Sequence, residues 1–261
     1  MTILGYETGE ILAKAAMTSD FELVGDIPNQ VLVDQMEIER RSMDIRPGMN
    51  RKYSPLGFHA ATGAQINGGR YLFDTWENVS DYARFTSEEL EFEPGVKFWD
   101  RDIFGPVDRH IWKVIGAHDF TPLATTHHVN RFERWTFNGD NPEQLLTRIW
   151  PTLRKQAEKQ GLAAVWLMYQ PDEKQIAILS VASKVDGDQP SDVATRSIDR
   201  LALLPSAEPL LPLELNVQKV FDRTTPILTM WLPLSRHLHG EPSAYPMSPP
   251  FAQPQVAPQR V

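Results

Sequence analysis

The sequence predicts an α+β protein in which two β-α-β-β-α-β halves, fused in one chain, form antiparallel sheets that close an α+β barrel. Short segments of alternating polar and apolar residues, typical of half-buried strands, recur along the chain. Longer segments between them repeat apolar residues at helical spacing. The stretch from Ser235 to Val261 holds six prolines, which exclude helix and ladder and predict a Pro-rich C-terminal arm.

The predicted second half, residues 123–234, opens with a strand and a helix. The segment "HHVNRFERWTF" alternates and ends at an Asn-Gly-Asp turn. Asn141 then suits a helix N-cap, Pro142 suits the first helical position, and Gly161 is a typical helix end. Pro151 lies inside this helix and is expected to kink it. The expected apolar stripe consists of Leu146, Ile149, Trp150, Leu153 and Ala157.

The remainder of this half supplies three more strands and a second helix. The segments "LAAVWLMYQ" and "KQIAILSVAS" are typical of strands, and the turn residues Pro171–Glu173 join them as a hairpin. Ser191 suits the N-cap of the second helix, and "LELNVQKVF" is the predicted closing strand. This order of elements is the split βαβ, or ferredoxin-like, arrangement.

The predicted first half, residues 30–122, repeats this order loosely. The segments "SPLGFHAAT" and "GRYLFDTWE" are predicted strands joined by a turn at Asn67–Gly69. "RHIWKVIGAHDF" is the predicted closing strand, after a turn at Gly105-Pro106. The segment "NVSDYARFTSEEL" predicts a helix that buries Val79, Tyr82 and Phe85.

The opening strand of the first half is less sharply defined. We favour "QVLVDQMEIERR", which echoes "HHVNRFERW", and this choice makes residues 1–29 an N-terminal extension. The alternative is that "QVLVDQMEIERR" is a helix behind an earlier strand at "DFELVG".

Two such halves in one chain resemble the dimeric α+β barrel superfamily in a fused, tandem form. The resemblance covers about residues 30–225 and rests on the order of elements and on the stretches "LGFHAA…GRYLFDTWEN…DYARF" and "FGPVDRHIW". It implies kinship with antibiotic-biosynthesis-type monooxygenases, EthD-like proteins, and the haem-binding chlorite dismutase and Dyp-peroxidase branches. None of these stretches is a catalytic signature, so the resemblance implies a fold rather than a reaction.

Composition excludes several classes of function. The formal net charge is −8, with 34 acidic and 26 basic residues, which argues against nucleic-acid binding. The chain has no cysteine, so disulfides, thiolate metal sites and a cysteine nucleophile are excluded. No apolar run reaches the roughly 20 residues of a membrane-spanning helix, and no secretory signal is present, so we expect a cytoplasmic protein without membrane contact.

The segment "ATTHHVNRFERWTFN" holds the most prominent candidate site, because it places His127 next to His128. Residues alternate along a strand, so the two histidines point to opposite faces. The His127 face carries more apolar bulk, including Trp135, and is expected to pack on helices. We therefore predict His128, Asn130 and Arg134 as the catalytic set of the pocket, with an idle, solvated strand end as the alternative.

Four further residues are candidates for the same barrel pocket. His59 has small neighbours that leave room for a ligand, and we add it as a second possible proton-transfer group. Trp76, Trp166 and Tyr169 are predicted strand aromatics that could bind a hydrophobic substrate, although such residues more often form core.

Two charged segments are interpreted as structural, and no metal site is predicted. The segment "FWDRDIFGPVDRHIW" mixes acids, arginines and His110, a mixture more typical of a salt-bridged loop than of a metal or proton-transfer site. The segment "HLHGE" sets His237, His239 and Glu241 at two-residue spacing, but Gly240 and Pro242 interrupt any strand there.

Three functions remain open from the sequence. We favour a cofactor-free enzyme that acts on a small hydrophobic, aromatic or polyketide-like molecule by histidine-assisted acid–base chemistry, as a monooxygenase, isomerase or dehydratase. The first alternative is a haem enzyme with a histidine ligand, for which His128 is the first choice. The second is a non-catalytic module that binds a ligand or a partner. A homodimer is compatible with each.

Overall fold

The computed structural model describes residues 8–25, 27–28, 31–32, 43, 46–59, 62–121, 128–182 and 206–231. Its strands and helices are β1 (Gly9–Glu10), β2 (Ala15–Leu23), β3 (Met49–Phe58), β4 (Gln65–Phe73), α1 (Trp76–Glu88), β5 (Glu91–Glu93), β6 (Val96–Lys97), β7 (Phe104–Asp119), β8 (His128–Thr136), α2 (Pro142–Lys159), β9 (Ala164–Gln170), β10 (Gln175–Ala182) and β11 (Gln218–Trp231). Short 3-10 turns lie at Phe98–Asp100, Glu208–Leu210 and Leu213–Leu215. No helix among these described residues is long and apolar enough to cross a membrane.

The eight long strands form a closed antiparallel ring. Their order is β7-β2-β4-β3-β11-β8-β10-β9, and β9 pairs again with β7. The first four of these strands in sequence lie side by side in the order β7-β2-β4-β3. The last four repeat this arrangement in the order β11-β8-β10-β9. The two sets of four meet at two seams, β3–β11 and β7–β9. The predicted α+β class and its antiparallel barrel are therefore confirmed.

The interior of the ring is a packed hydrophobic core, and each helix covers an outer face of the ring. Three large aromatic residues, Trp112, Phe132 and Trp166, are fully buried or nearly so and belong to one interior cluster. Helix α2 packs on the outer face of β7 and β9, whereas α1 packs on the outer face of β2 and β4. Where a helix covers the ring, side chains along a strand alternate between the interior and that helix layer.

Helix α1 forms where its periodicity predicts it. The Thr75 side chain accepts a hydrogen bond from the Asn78 backbone N–H (3.1 Å), which caps the first turn. Val79, Tyr82 and Phe85 are buried, as expected.

Helix α2 is also confirmed, with Pro142 in its first turn. Asn141 occupies the N-cap position in the left-handed region (φ 52°), and its side chain makes no capping hydrogen bond. Pro151 is accommodated inside the helix. The residues that it buries against the sheet are Leu146, Trp150, Leu153 and Ala157.

The predicted turn at Asn67–Gly69 is wrong, because these residues lie in the middle of β4. The connection between β3 and β4 comes earlier and includes Gly63, which adopts φ +70°. Gly68 serves close packing of the sheet instead, since a Cβ there would lie 2.2 Å from the Ser19 carbonyl oxygen.

Three other boundaries differ from the prediction. The opening strand is β2, which lies before residue 30, and Val31 in the favoured segment "QVLVDQMEIERR" is helical. Gly105-Pro106 lies within β7, at a register irregularity opposite β2 that tolerates proline. The closing strand of the second set begins at Gln218 rather than Leu213. The helix predicted from Ser191 and the Pro-rich arm lie outside the described residues.

Candidate functional site

A narrow cleft lies on the outer face of the first set of strands, between this sheet, helix α1 and the segment around Trp99. Its cavity volume is small, about 40 Å³. The sequence places the pocket inside the barrel, and that location stays a prediction; the cleft lies on the outer face, whereas Trp112 and Trp166 pack in the interior. The cleft is lined by Met17, Phe21, Leu23, Leu32, Lys52, Asn67, Gly68, Tyr71, Tyr82, Thr86, Leu90, Phe98, Trp99, Arg101 and Phe104.

Aromatic rings form most of the cleft wall. Trp99 packs edge-on against Phe98 (ring centroids 4.6 Å apart) and also contacts Phe104 (5.3 Å). Tyr71 and Tyr82 form a second pair at 5.3 Å. Rings in this arrangement offer flat apolar surfaces against which another planar molecule can stack.

A small number of polar groups lie within this apolar wall. The indole Nε1 of Trp99 is buried and has no acceptor among the described residues. Asn67 uses its Oδ1 to accept a hydrogen bond from the Gly68 N–H (2.7 Å). The side chain of Lys52 is buried, with Nζ 5.2 Å from the Tyr71 ring centroid. The Arg101 guanidinium stacks on Phe98 and Phe104, at 4.5 Å from each centroid.

Three of the predicted catalytic residues share one face of β8, which points into the barrel with Phe132. His128 is 3% exposed, and its Nδ1 lies 3.3 Å from the Ala182 carbonyl oxygen. The buried Asn130 amide donates to the Thr225 carbonyl (3.0 Å) and hydroxyl (2.9 Å). Neither residue lines the cleft, and their catalytic role stays a prediction. His127 lies outside the described residues.

Arg134, the third residue of that set, lies at one end of the barrel in an ionic cluster. Its Nη2 donates to Asp108 Oδ2 (2.5 Å), and its Nη1 contacts His110 Nε2. His110 also contacts Asp108 Oδ1 through Nε2 (2.6 Å) and Glu173 Oε2 through Nδ1 (2.5 Å). Asp108 and His110 are therefore paired ionic residues, but they lie in strand β7 rather than in a salt-bridged loop, and Arg134 and Glu173 come from other elements.

The charges of this cluster shift the pKa values of two members. The hydrogen bond from His110 lowers the pKa of Asp108 to about 2, with help from Arg134 and against the effect of burial. Burial has the largest single effect on His110 and lowers its pKa, but the hydrogen bonds to Asp108 and Glu173 outweigh burial and raise it overall.

The remaining predicted residues are dispersed over the molecule. His59 follows β3, where its backbone N–H donates to the Ala64 carbonyl (2.8 Å). Trp76 begins helix α1 and is 37% exposed, so it is not a strand aromatic. Trp166 lies in the barrel interior, 4.9 Å from the Tyr53 ring. Tyr169 belongs to the cluster under α2, and its hydroxyl donates to the Glu143 carboxylate. Burial, together with this hydrogen bond, raises the pKa of Tyr169.

Among the described residues, no histidine lines the cleft, so its lining offers no axial ligand for a haem. The alternative of a haem enzyme with His128 as ligand stays a prediction. Across the part of the chain that the structure describes, no cluster of three or more histidine, aspartate and glutamate side chains could hold a metal ion. The "HLHGE" segment lies outside the described residues.

Comparison with known proteins identifies the fold. The structure is similar to that of a candidate monooxygenase from Fusobacterium nucleatum subsp. nucleatum ATCC 25586, with a TM-score of 0.52, 10% identity, and coverage of 84% of this chain and 94% of that chain. The chain has the fold of the dimeric α+β barrels.

Two other solved structures are more distant. One is a candidate monooxygenase from Lactobacillus acidophilus NCFM, with a TM-score of 0.47, 8% identity, and coverage of 84% of this chain and 96% of that chain. The other is an anthrone oxidase-like protein, with a TM-score of 0.43, 10% identity, and coverage of 88% and 95%. No family model and no curated protein matches the sequence.

The cleft was missed because its signal in the sequence is weak. Phe98, Trp99 and Phe104 lie in the segment from residue 98 to 112, which is interpreted from its charged residues as structural. Three large aromatic residues within seven positions could have indicated a hydrophobic wall. Nothing in the sequence indicates that this wall faces Tyr71 and Tyr82.

Proposed function

We propose that this chain is a small-molecule enzyme that binds a hydrophobic aromatic substrate in the cleft beside Trp99 and oxidises it as a cofactor-free monooxygenase. The protein would bind and orient the substrate, and molecular oxygen would be the second substrate. Two tandem ferredoxin-like halves would supply the scaffold, a proposal supported by the same strand order in both sets.

The observation that carries this proposal is the buried indole N–H of Trp99, which has no acceptor among the described residues. A buried donor without a partner costs about 1–3 kcal/mol, so a ligand oxygen that accepts from it would recover this free energy. The surrounding rings make a planar aromatic ligand the best match. Predominantly apolar walls with a few oriented polar groups are typical of small-molecule sites.

The fold comparison is consistent with oxygenation. The protein from Fusobacterium nucleatum is described as a candidate monooxygenase. An electron-rich aromatic substrate that has lost a proton can reduce molecular oxygen itself. A ring-activated CH2 group and O2 then yield a carbonyl group and one water molecule, which balances atoms and electrons without an added reductant.

We assign no residue that lines the cleft as the proton-transfer group of this reaction. The sequence-based proposal of His128 or His59, with Asn130 or Arg134 holding an oxyanion, therefore stands as an independent hypothesis. It is distinguished from the cleft proposal by variants, since the two sets of residues do not overlap. The cytoplasmic location and the possible homodimer likewise remain proposals.

A Trp99→Phe variant tests the cleft directly, because it keeps an aromatic ring and removes only the N–H donor. We expect the affinity for 1-naphthol, a planar aromatic probe with one oxygen, to fall about tenfold, which corresponds to one lost hydrogen bond of about 1.4 kcal/mol. Equilibrium titration by isothermal calorimetry measures this change. Anthrone is then supplied with 18O2, and mass spectrometry of the product measures oxygen incorporation.

Trp76→Phe is the matched control, since Trp76 lies outside the cleft and is partly exposed. It should leave binding unchanged. Equal affinities in wild type and Trp99→Phe would contradict the role of the cleft. Binding of 1-naphthol without any 18O in the product would favour a non-catalytic binding module.

A further inference from the structure

The cluster formed by Asp108, His110, Arg134 and Glu173, here called the His110 cluster, connects parts of the chain that are distant in sequence. Asp108 and His110 belong to β7, Arg134 belongs to β8, and Glu173 lies in the turn between β9 and β10. It therefore joins the first set of strands to the second, at the end of the seam where β7 pairs with β9.

The β7–β9 seam uses only the C-terminal part of β7, although it involves nearly all of β9. Pairing runs from Lys113 with Tyr169 to Asp119 with Ala164, and a register shift interrupts it between Val114 and Gly116. Beyond Lys113, toward the His110 cluster, the seam is held by side chains. Gln170 Nε2 donates to the Ile111 carbonyl (3.0 Å), and His110 contacts Glu173.

We propose that His110 is a proton-dependent latch that fastens this end of the β7–β9 seam. A protonated imidazole donates from both nitrogens, so it bridges Asp108 through Nε2 and Glu173 through Nδ1. Each of these bonds joins a cation to a carboxylate, and charge-assisted bonds of this kind are stronger than neutral ones.

Loss of the proton changes the partners of Nε2. A neutral imidazole has one donor and one acceptor, so a ring that still donates to Glu173 can no longer donate to Asp108. Arg134 Nη1 is already in contact with Nε2 and can donate to it instead. In that state Asp108 loses one hydrogen bond, and Glu173 faces a neutral donor rather than a cation. The latch is therefore weaker when His110 is neutral.

The charged groups around His110 are sufficient to decide the direction of the effect. On β7 and the β9–β10 turn they are two carboxylates, Asp108 and Glu173, and on β8 the group is the Arg134 cation. Asp20 on β2 is adjacent to Asp108 in the sheet but is paired with Arg70 of β4 and approached by Arg223 of β11. Two carboxylates in direct contact favour the protonated ring over the opposing effect of Arg134 and of burial.

The first test is an NMR pH titration of the histidine ring protons, with the His110 signal identified by its loss in His110→Gln. The His110 midpoint should lie above the usual value of about 6.5. In Glu173→Gln the midpoint should fall by at least about half a pH unit, since one of the two carboxylates no longer carries a charge.

Asp172→Asn is the matched control, because it removes the same charge from the same turn and Asp172 makes no contact with His110. It should move the midpoint much less than Glu173→Gln. Equal shifts in the two variants, or a wild-type midpoint at or below 6.5, would overturn the proposal.

The second test measures the seam itself by hydrogen exchange of the backbone amides of β9, corrected for the intrinsic effect of pH. Protection in the wild type should fall several-fold as the pH rises through the His110 midpoint. Glu173→Gln should show the lower protection at both pH values. Wild-type protection that does not change across the midpoint would show that His110 titrates without fastening the seam.

Discussion

At the scale of single residues, Gly68 is decisive for the sheet because no side chain fits at its position. Its neighbours in sequence, Asn67 and Gly69, made the segment look like a hairpin turn. In the structure it lies in β4, against the backbone of β2 at Ser19. The sequence cannot distinguish a glycine that permits two strands to approach closely from a glycine that permits a turn. Only the neighbouring strand in the structure distinguishes them.

Gly68→Ala is therefore expected to destabilise the protein by about 2 kcal/mol or more, because the new methyl group must displace the Ser19 backbone. Urea denaturation measures the free energy of unfolding. Gly63→Ala is the comparison, since its position is open and only its φ of +70° is strained, at a cost of about 1 kcal/mol. A smaller loss in Gly68→Ala than in Gly63→Ala would contradict this account.

Alternation along β8 was predictable, and the position of the cleft was not. Two-residue spacing alone assigned His128, Asn130 and Arg134 to one face, and these residues do share the barrel face with Phe132. Whether a cavity forms on that face depends on how completely side chains from the other strands fill it. Trp112 and Trp166 fill it from β7 and β9, and such long-range packing leaves no local pattern.

At the scale of elements, the two helices among the described residues were predicted best, because their signals are local. The apolar spacing and the cap of α1, and the Asn141-Pro142 start of α2, are complete within each segment. Strand bounds were predicted less well. Strand β2 contains polar residues such as Thr18, Ser19 and Asp20 that are buried and satisfied by neighbours, including the Trp112 and Arg70 side chains. Partners from distant strands override the local preference.

The cap of α1 provides a test at this scale. Thr75→Ala removes the side-chain acceptor for the Asn78 N–H and should lower the free energy of unfolding by about 1 kcal/mol. Thr147→Ala, at an exposed position inside α2, should be neutral or slightly stabilising, because alanine is the better helix former. Urea denaturation of both variants checks this. Equal losses would mean that the Thr75 cap contributes nothing specific.

At the scale of the whole molecule, the two sets of four strands depend on each other. The interior cluster draws residues from both sets, including Tyr53 and Trp112 from the first and Phe132 and Trp166 from the second. Two seams and the His110 cluster add direct connections. Neither set could separate without exposing this shared core to water, at a cost of roughly 25 cal/mol for each Å² of apolar surface.

Denaturation of the described body of the protein should consequently occur in one cooperative step. Tryptophan fluorescence reports on the packed body of the protein, because five of the seven tryptophans are buried: Trp112, Trp135, Trp150, Trp166 and Trp231. Far-ultraviolet circular dichroism reports on the strands and helices. The two urea transitions should coincide in midpoint and slope. Separate transitions would show that the two sets fold as independent units.

Closure of the ring also affects how copies of this protein meet one another. A sheet with free edges exposes unpaired N–H and C=O groups, and another chain can add a strand there and begin aggregation. From Lys113 to Asp119, β7 pairs with β9, so the described strands leave no free edge over this part of the ring. Edge-to-edge fibril growth is blocked there as long as the β7–β9 seam holds, and self-association at this part of the ring must involve side-chain surfaces.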